Sequence, residues 1–219
     1  MPLTWELRDY DQEFFRRELD SFVPREIFDS HAHLYKVHHF GGRLTNGPAE
    51  VGLSVFREQI DWIMPGRRVE GLFFGVGFSD LHRECNEFIA AEVRQDPGSR
   101  GQLLVSPRTN CDQVRAEVRR LGLVGLKVYH TFVSRPRTWD CEVSEFLTED
   151  HVRAAQEEGL AITLHMVKQR AMADKGNQET IRYYCERYPR IKMILAHAAR
   201  GFNPFHTCLL YTSPSPRDS

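Results

Sequence analysis

Short apolar runs alternate along this chain with longer stretches in which apolar residues recur every three or four positions. The short runs predict strands over 27–31, 71–77, 102–106, 124–129, 161–166 and 192–197. Helical spacing fills the intervals. Residues 54–64 bring Val55, Ile60 and Ile63 towards one face, and 80–95 do the same with Leu81, Phe88 and Ile89. Val114, Val118 and Leu121 mark a helix over 111–121, and two more are predicted over 148–158 and 178–188. Thr148 is followed three residues later by His151 where Glu or Gln is usual, so the capping box there is imperfect. Gly159 and Pro189 stop the last two helices.

Strand–helix alternation of this kind implies parallel strands joined by helical crossovers. Six strands in series fit an open doubly wound sheet or most of an eight-fold barrel. The phosphate-binding GxGxxG of the open sheet is absent after the first strand, and "GVGFSD" after the second lacks its spacing. In a barrel, function sits at the C-terminal ends of the strands. The unusual residues of this chain fall there.

The first strand leads into "DSHAHL", which places His31 and His33 two residues apart. Side chains two apart on a strand share a face, so both rings can reach one point. Neutral imidazole is a common metal ligand, although a single HxH pair is weak evidence alone. Repetition strengthens it: "AITLHM" ends the fifth strand in His165 and "MILAHAA" ends the sixth in His197. Lys127, in "VGLKVYH" at the end of the fourth strand, adds a cation that must be paired or functional if buried.

Composition narrows the class. Lys and Arg total 29 against 30 Asp and Glu, which gives no sign of a nucleic-acid partner. No apolar run approaches the roughly 18 residues that would suggest a membrane span, and the charged N-terminus does not read as a signal peptide. Five cysteines, odd in number and without a CxxC pair, suggest a reducing, cytoplasmic setting.

With those motifs in order, the chain resembles the amidohydrolase superfamily in its amidohydrolase-related (type 2) branch, from about Ile27 to Asn203. The resemblance implies an α/β fold, a distorted (β/α)8 TIM-like barrel incomplete here at about six strand–helix units. It implies one or two divalent metals, usually zinc. By it His31, His33 and His165 are metal ligands, and His197 binds a second ion or orients the attacking water. Lys127 bridges two ions as a carbamate or only packs and pairs. The expected activity is hydrolysis of an amide, imide or lactone bond. Non-oxidative decarboxylation of an aromatic or unsaturated acid is the alternative, and a non-catalytic binding barrel is the control. The family's usual eighth-strand aspartate has no counterpart in this sequence.

Other features fill in the expectation. Arg135, Arg137, Trp139, Lys168 and Arg170 follow the fourth and fifth strands, and their cations suit a carboxylate-bearing small-molecule substrate. His38 and His39 read as a solvated loop pair, and His82, His151 and His206 as surface residues. Homo-oligomerisation is left open. Residues 1–26 read as an N-terminal helical segment and 27–207 as the partial barrel. The Ser- and Pro-rich "CLLYTSPSPRDS", 208–219, cannot form the helix a barrel unit needs, and it resembles the translated read-through of a sequencing adapter. It is expected to be a non-native tail on a truncated chain that is itself inactive.

Overall fold

The computed structural model describes residues 8–44, 47–78 and 80–200. By internal contacts the chain divides into two compact units, Met1–Gln102 with Leu121–Leu123, and Leu103–Arg120 with Val124–Ser219.

In the first unit, α1 (Asp9–Phe14) runs on into a π-helical turn, Phe15–Leu19. Phe15 is the buried anchor of this segment, with the Arg67 guanidinium 4.9 Å from its ring. The strand β1 (Glu26–His33) follows, then β2 (Tyr35–Lys36) and β3 (Glu50–Val51), which pair antiparallel as a two-stranded ribbon. The helix α2 (Leu53–Ile63), β4 (Arg68–Phe74) and α3 (His82–Val93) complete the series up to β5 (Arg100–Val105). Phe73, Phe74, Leu34 and Ile89 are fully buried at the centre of this unit. Both faces of β4 are covered over its second half, as parallel strands require.

The second unit contains α4 (Cys111–Leu121), β6 (Gly125–Val128), α5 (Val143–Phe146), α6 (Glu149–Glu158), β7 (Ala161–Leu164), α7 (Lys175–Arg187) and β8 (Lys192–Leu195). β6, β7 and β8 run parallel, with Lys127 opposite Thr163 and Thr163 opposite Ile194. Leu126, Phe146, Leu147, Ile162 and Leu164 form its core, each fully buried. Gly159, at φ +69°, takes the left-handed conformation that ends α6 and turns the chain into β7.

The parallel strands follow the order β1-β4-β5-β6-β7-β8, so the fold is α/β with one crossover helix or more between neighbours. All six predicted strands exist, but their ends differ. β4 stops at Phe74, β7 at Leu164 and β8 at Leu195, each two or three residues before the predicted end. Val76, Met166 and Ala196 remain buried beyond those points, so the apolar pattern outlasts the ladder. Among the described residues, Cys85, Cys111 and Cys141 are buried free thiols and Cys185 is exposed. No helix among the described residues is long and apolar enough to cross a membrane. The expected tail over 208–219, and His206, lie outside the described residues.

Candidate metal centre

In the first unit the histidine pair sits at a break in the ladder. Asp29 pairs with Gly71 and Ala32 with Phe73, so two residues of β1 face one of β4. This is a β-bulge, a device that bends a strand and re-aims its side chains. The His31 N–H donates to Asp29 Oδ1 at 2.9 Å and braces it. The rings of His31 and His33 lie 5.4 Å apart, and both meet the ring of Phe74, at 4.9 and 4.7 Å. His33 Nδ1 is 3.3 Å from the Gly75 carbonyl. With its proton there, the His33 ring carries its lone pair on Nε2.

In the second unit His165 follows β7 and His197 follows β8, outside the ladders rather than in the strands where the sequence places them. Their Nε2 atoms are 3.0 Å apart and their ring centroids 4.8 Å. Two lone pairs at that distance need a proton or a cation between them. The separation is close to the roughly 3.3 Å between two nitrogens on a tetrahedral zinc with Zn–N bonds of about 2.0 Å. His165 Nδ1 is buried without a hydrogen-bond partner, which is uncommon for a folded interior. Burial pushes the His165 ring down to about 3, with the Lys127 charge adding to the effect. His197 is lowered by burial, Lys127 and Arg200. Both rings are therefore neutral at pH 7, the form a metal takes. The donor set fits a divalent ion of the zinc class.

Lys127 is fully buried on β6, with Nζ 5.0 Å from the centroid of the Tyr129 ring. Loss of hydration pushes its ammonium down to about 7. The Tyr129 ring stands 6.0 Å from His165, and burial raises its phenol far above the ordinary range.

The cations expected on the rim are mostly neutralised. Arg135 pairs with Glu145 at 2.8 Å and Arg137 with Asp140 at 2.9 Å. Lys168 pairs with Glu142 at 2.7 Å and Asp174 at 3.1 Å, while Arg170 is exposed. Arg200 takes a place that the sequence reading misses: its guanidinium lies 4.0 Å from the centroid of Trp139, and its charge depresses His130, His165 and His197. The available signal was its position three residues after His197 in "ILAHAAR".

Two other histidines depart from expectation. His39 is fully buried, against the ring of Phe88, rather than solvated. His151 is fully buried rather than a surface residue; its Nδ1 accepts from the Thr148 N–H and its Nε2 lies 3.0 Å from the Ser106 carbonyl. The imperfect capping box is thus closed by an imidazole. His82 is half-buried.

No family model matches the chain, and neither does any curated protein. Solved structures do. A 2,6-dihydroxybenzoate decarboxylase from Rhizobium is 13% identical with TM-score 0.56, over 88% of this chain and 73% of its own. An Agrobacterium tumefaciens protein, solved in the apo form, is 17% identical with TM-score 0.51, over 82% and 59%. A probable 2-pyrone-4,6-dicarboxylic acid hydrolase from Acinetobacter baumannii, with citric acid bound, is 16% identical with TM-score 0.42, over 63% and 48%. The chain spans 59% and 48% of the lengths of the last two. The likeness to the first two is one of fold: six strand–helix units of the kind that builds an eight-fold barrel.

Proposed function

We propose that this chain carries the metal-binding part of a metal-dependent hydrolase that cleaves an amide, imide or lactone bond in a carboxylate-bearing small molecule. His31, His33 and His165 hold a divalent ion, and His197 lies beside it. The observation that carries the reading is the 3.0 Å approach of two neutral imidazoles, His165 and His197, next to a buried lysine. Such an ion, when bound, supplies a Lewis acid that acidifies water and polarises a carbonyl. The chain's own residues do the rest. His197 can hold or release a proton at Nε2. Lys127, pushed to about 7, exchanges a proton near neutral pH. Arg200, its guanidinium 4.0 Å from the centroid of the Trp139 ring, brings a cation of the kind that binds a carboxylate.

A second reading is non-oxidative decarboxylation of an aromatic acid. The Arg200–Trp139 pair favours it, because it sets a cation that suits a carboxylate against an aromatic ring. The experiment loads the metal-free chain with zinc and counts bound ions in the wild type and in His31→Ala, His33→Ala and His165→Ala. Each variant should lose one ion. Loaded wild type is then offered carboxylate-bearing lactones and amides, followed by hydroxybenzoates, with acid release and CO2 release measured separately. Unchanged zinc content in His31→Ala would sink the ligand assignment, and CO2 without hydrolysis would replace the first reading by the second.

A further inference from the structure

The turn after β2 assembles metal-type donors that the histidines at the strand ends do not use. Val37–Phe40 is a 3-10 turn that sets His38 and His39 side by side, ring centroids 4.7 Å apart. Glu84, in the first turn of α3, reaches both: its Oε1 is 2.5 Å from His38 Nε2 and 3.5 Å from His39 Nε2. One donor atom from each residue lies within 4.8 Å of the other two. His39 is fully buried, which holds its ring in place, while the side chains of His38 and Glu84 are about half exposed, at 50% and 48%. The cluster therefore has a rigid wall and an open mouth.

We propose that His38, His39 and Glu84 form a divalent-cation site of the zinc class, separate in its ligands from His31, His33 and His165. Two imidazoles and one carboxylate are a donor set that zinc takes, with the fourth position left to solvent at the exposed side. Burial, His38 and Lys36 keep His39 in the neutral form that a metal requires, and Glu84 is held ionised by the hydrogen bond to His38. Lys36 does not occupy the mouth: its ammonium lies over the Phe88 ring and 3.8 Å from Glu50.

The site carries its own signature. The Lys36 N–H points at His39 Nδ1 from 3.2 Å, so in the metal-free ring the proton sits on Nε2, towards Glu84. A cation at Nε2 displaces that proton to Nδ1 and removes the acceptor of the Lys36 amide. One long backbone hydrogen bond is exchanged for a metal–nitrogen bond. A clamp in which Glu84 merely accepts hydrogen bonds from both rings predicts no such exchange.

The test does not depend on the function proposed above. The metal-free 219-residue chain is titrated with Zn²⁺ by equilibrium dialysis, alongside Glu84→Gln and His38→Ala, each also in a His31→Ala background. Each variant should bind one ion fewer than its parent in both backgrounds, or bind that ion at least tenfold more weakly. Nitrogen-15 spectra of the wild type should show the His39 proton moving from Nε2 to Nδ1 and the Lys36 amide shifting as zinc is added. Equal zinc counts in wild type and both variants overturn the proposal. So does zinc uptake that leaves His39 protonated on Nε2, a readout that needs no variant to fold.

Discussion

Replacing His151 with alanine removes a side chain that joins the start of α6 to the end of β5. Its Nδ1 accepts from the Thr148 N–H at 3.3 Å, which places the ring proton on Nε2, where it donates to the Ser106 carbonyl at 3.0 Å. The ring is fully buried, so alanine leaves the Thr148 N–H without a partner or water, while the Ser106 carbonyl keeps the Thr109 N–H at 2.9 Å. The loss, before any cavity term, is therefore roughly 1–3 kcal/mol, or a fall in Tm of roughly 2–12 °C for a chain of this size. Glutamine can reach the Thr148 amide and should recover part of the loss. The pH dependence has a definite sign. Burial lowers the His151 pKa, so the unfolded chain takes up a proton before the folded one does. The stability from the neutral ring is fully present above about pH 6.5, the unfolded value, and falls as the pH drops below it. Urea melts of the wild type, His151→Ala and His151→Gln at pH 8 and pH 5 test both parts. The wild type should lose its advantage over His151→Gln towards pH 5. An alanine variant within 1 kcal/mol of wild type at pH 8, or a wild-type advantage that grows on acidification, would refute the reasoning.

Lys127→Met should stabilise the metal-free chain at pH 7 by up to roughly 5 kcal/mol, the size of the penalty that takes a lysine from its usual value to about 7. The sign follows from linkage: between about pH 7 and 10 the unfolded chain holds the proton and the folded one does not, so wild-type stability rises with pH there while that of Lys127→Met does not. Denaturant melts at pH 7 and 9.5 that gave the two proteins equal slopes would count against the buried ammonium. Ala198→Gly and Ala199→Gly, at φ +49° and +55°, should each stabilise the fold by about 0.5–1 kcal/mol, because glycine enters the left-handed region without the clash that alanine meets. Destabilisation by either glycine, measured in the same melts, would mean the turn is not left-handed.

The strands β4 to β7 are legible in the sequence because a parallel strand buried on both faces shows as a largely apolar run, whereas β1 and β8, half-exposed, show only shorter ones. The strand ends are not legible, and the reason is visible at Met166 and Val167. Both are fully buried, yet they lie in a packed turn after β7, and burial alone does not report whether the backbone is still in a ladder. The spacing of His31 and His33 is plain in the text, but the bulge between Asp29 and Ala32 is not, since a bulge exists only relative to the partner strand. His39 and His151 are misjudged for the same reason. What buries them is Phe88 in one case and the carbonyl of Ser106 in the other, each about 45 to 50 residues away along the chain. The rim is different. Asp140, Glu142 and Glu145 follow Arg135 and Arg137 within ten residues in "SRPRTWDCEVSE", so the pairing of Arg135 with Glu145 and Arg137 with Asp140 could have been anticipated from the sequence.

Strain in the backbone gathers where the candidate chemistry lies. Among the described residues, the non-glycine positions with positive φ are Lys168, Ala171, His197, Ala198, Ala199 and Arg200. All follow β7 or β8. The first two are over-determined by their surroundings: Asn177, fully buried, donates from Nδ2 to the carbonyls of Val167 and Ala171, and Lys168 is tied to Glu142 and Asp174. The last four form one continuous left-handed turn. At about 1–2 kcal/mol per residue, such a turn costs roughly 4–8 kcal/mol. The contacts that hold it include the His197–His165 hydrogen bond, worth about 1 kcal/mol, and the Arg200–Trp139 cation–π contact, worth about 1–2 kcal/mol. With Ala196 and Ala199 buried, these offset part of the cost. Strain of this kind persists where a binding geometry is set in advance. A cation shared by His165 and His197 would add stabilisation at the first residue of the turn, and the turn in turn sets Arg200 beside Trp139. Metal binding and carboxylate recognition would then be two consequences of one strained connection after β8.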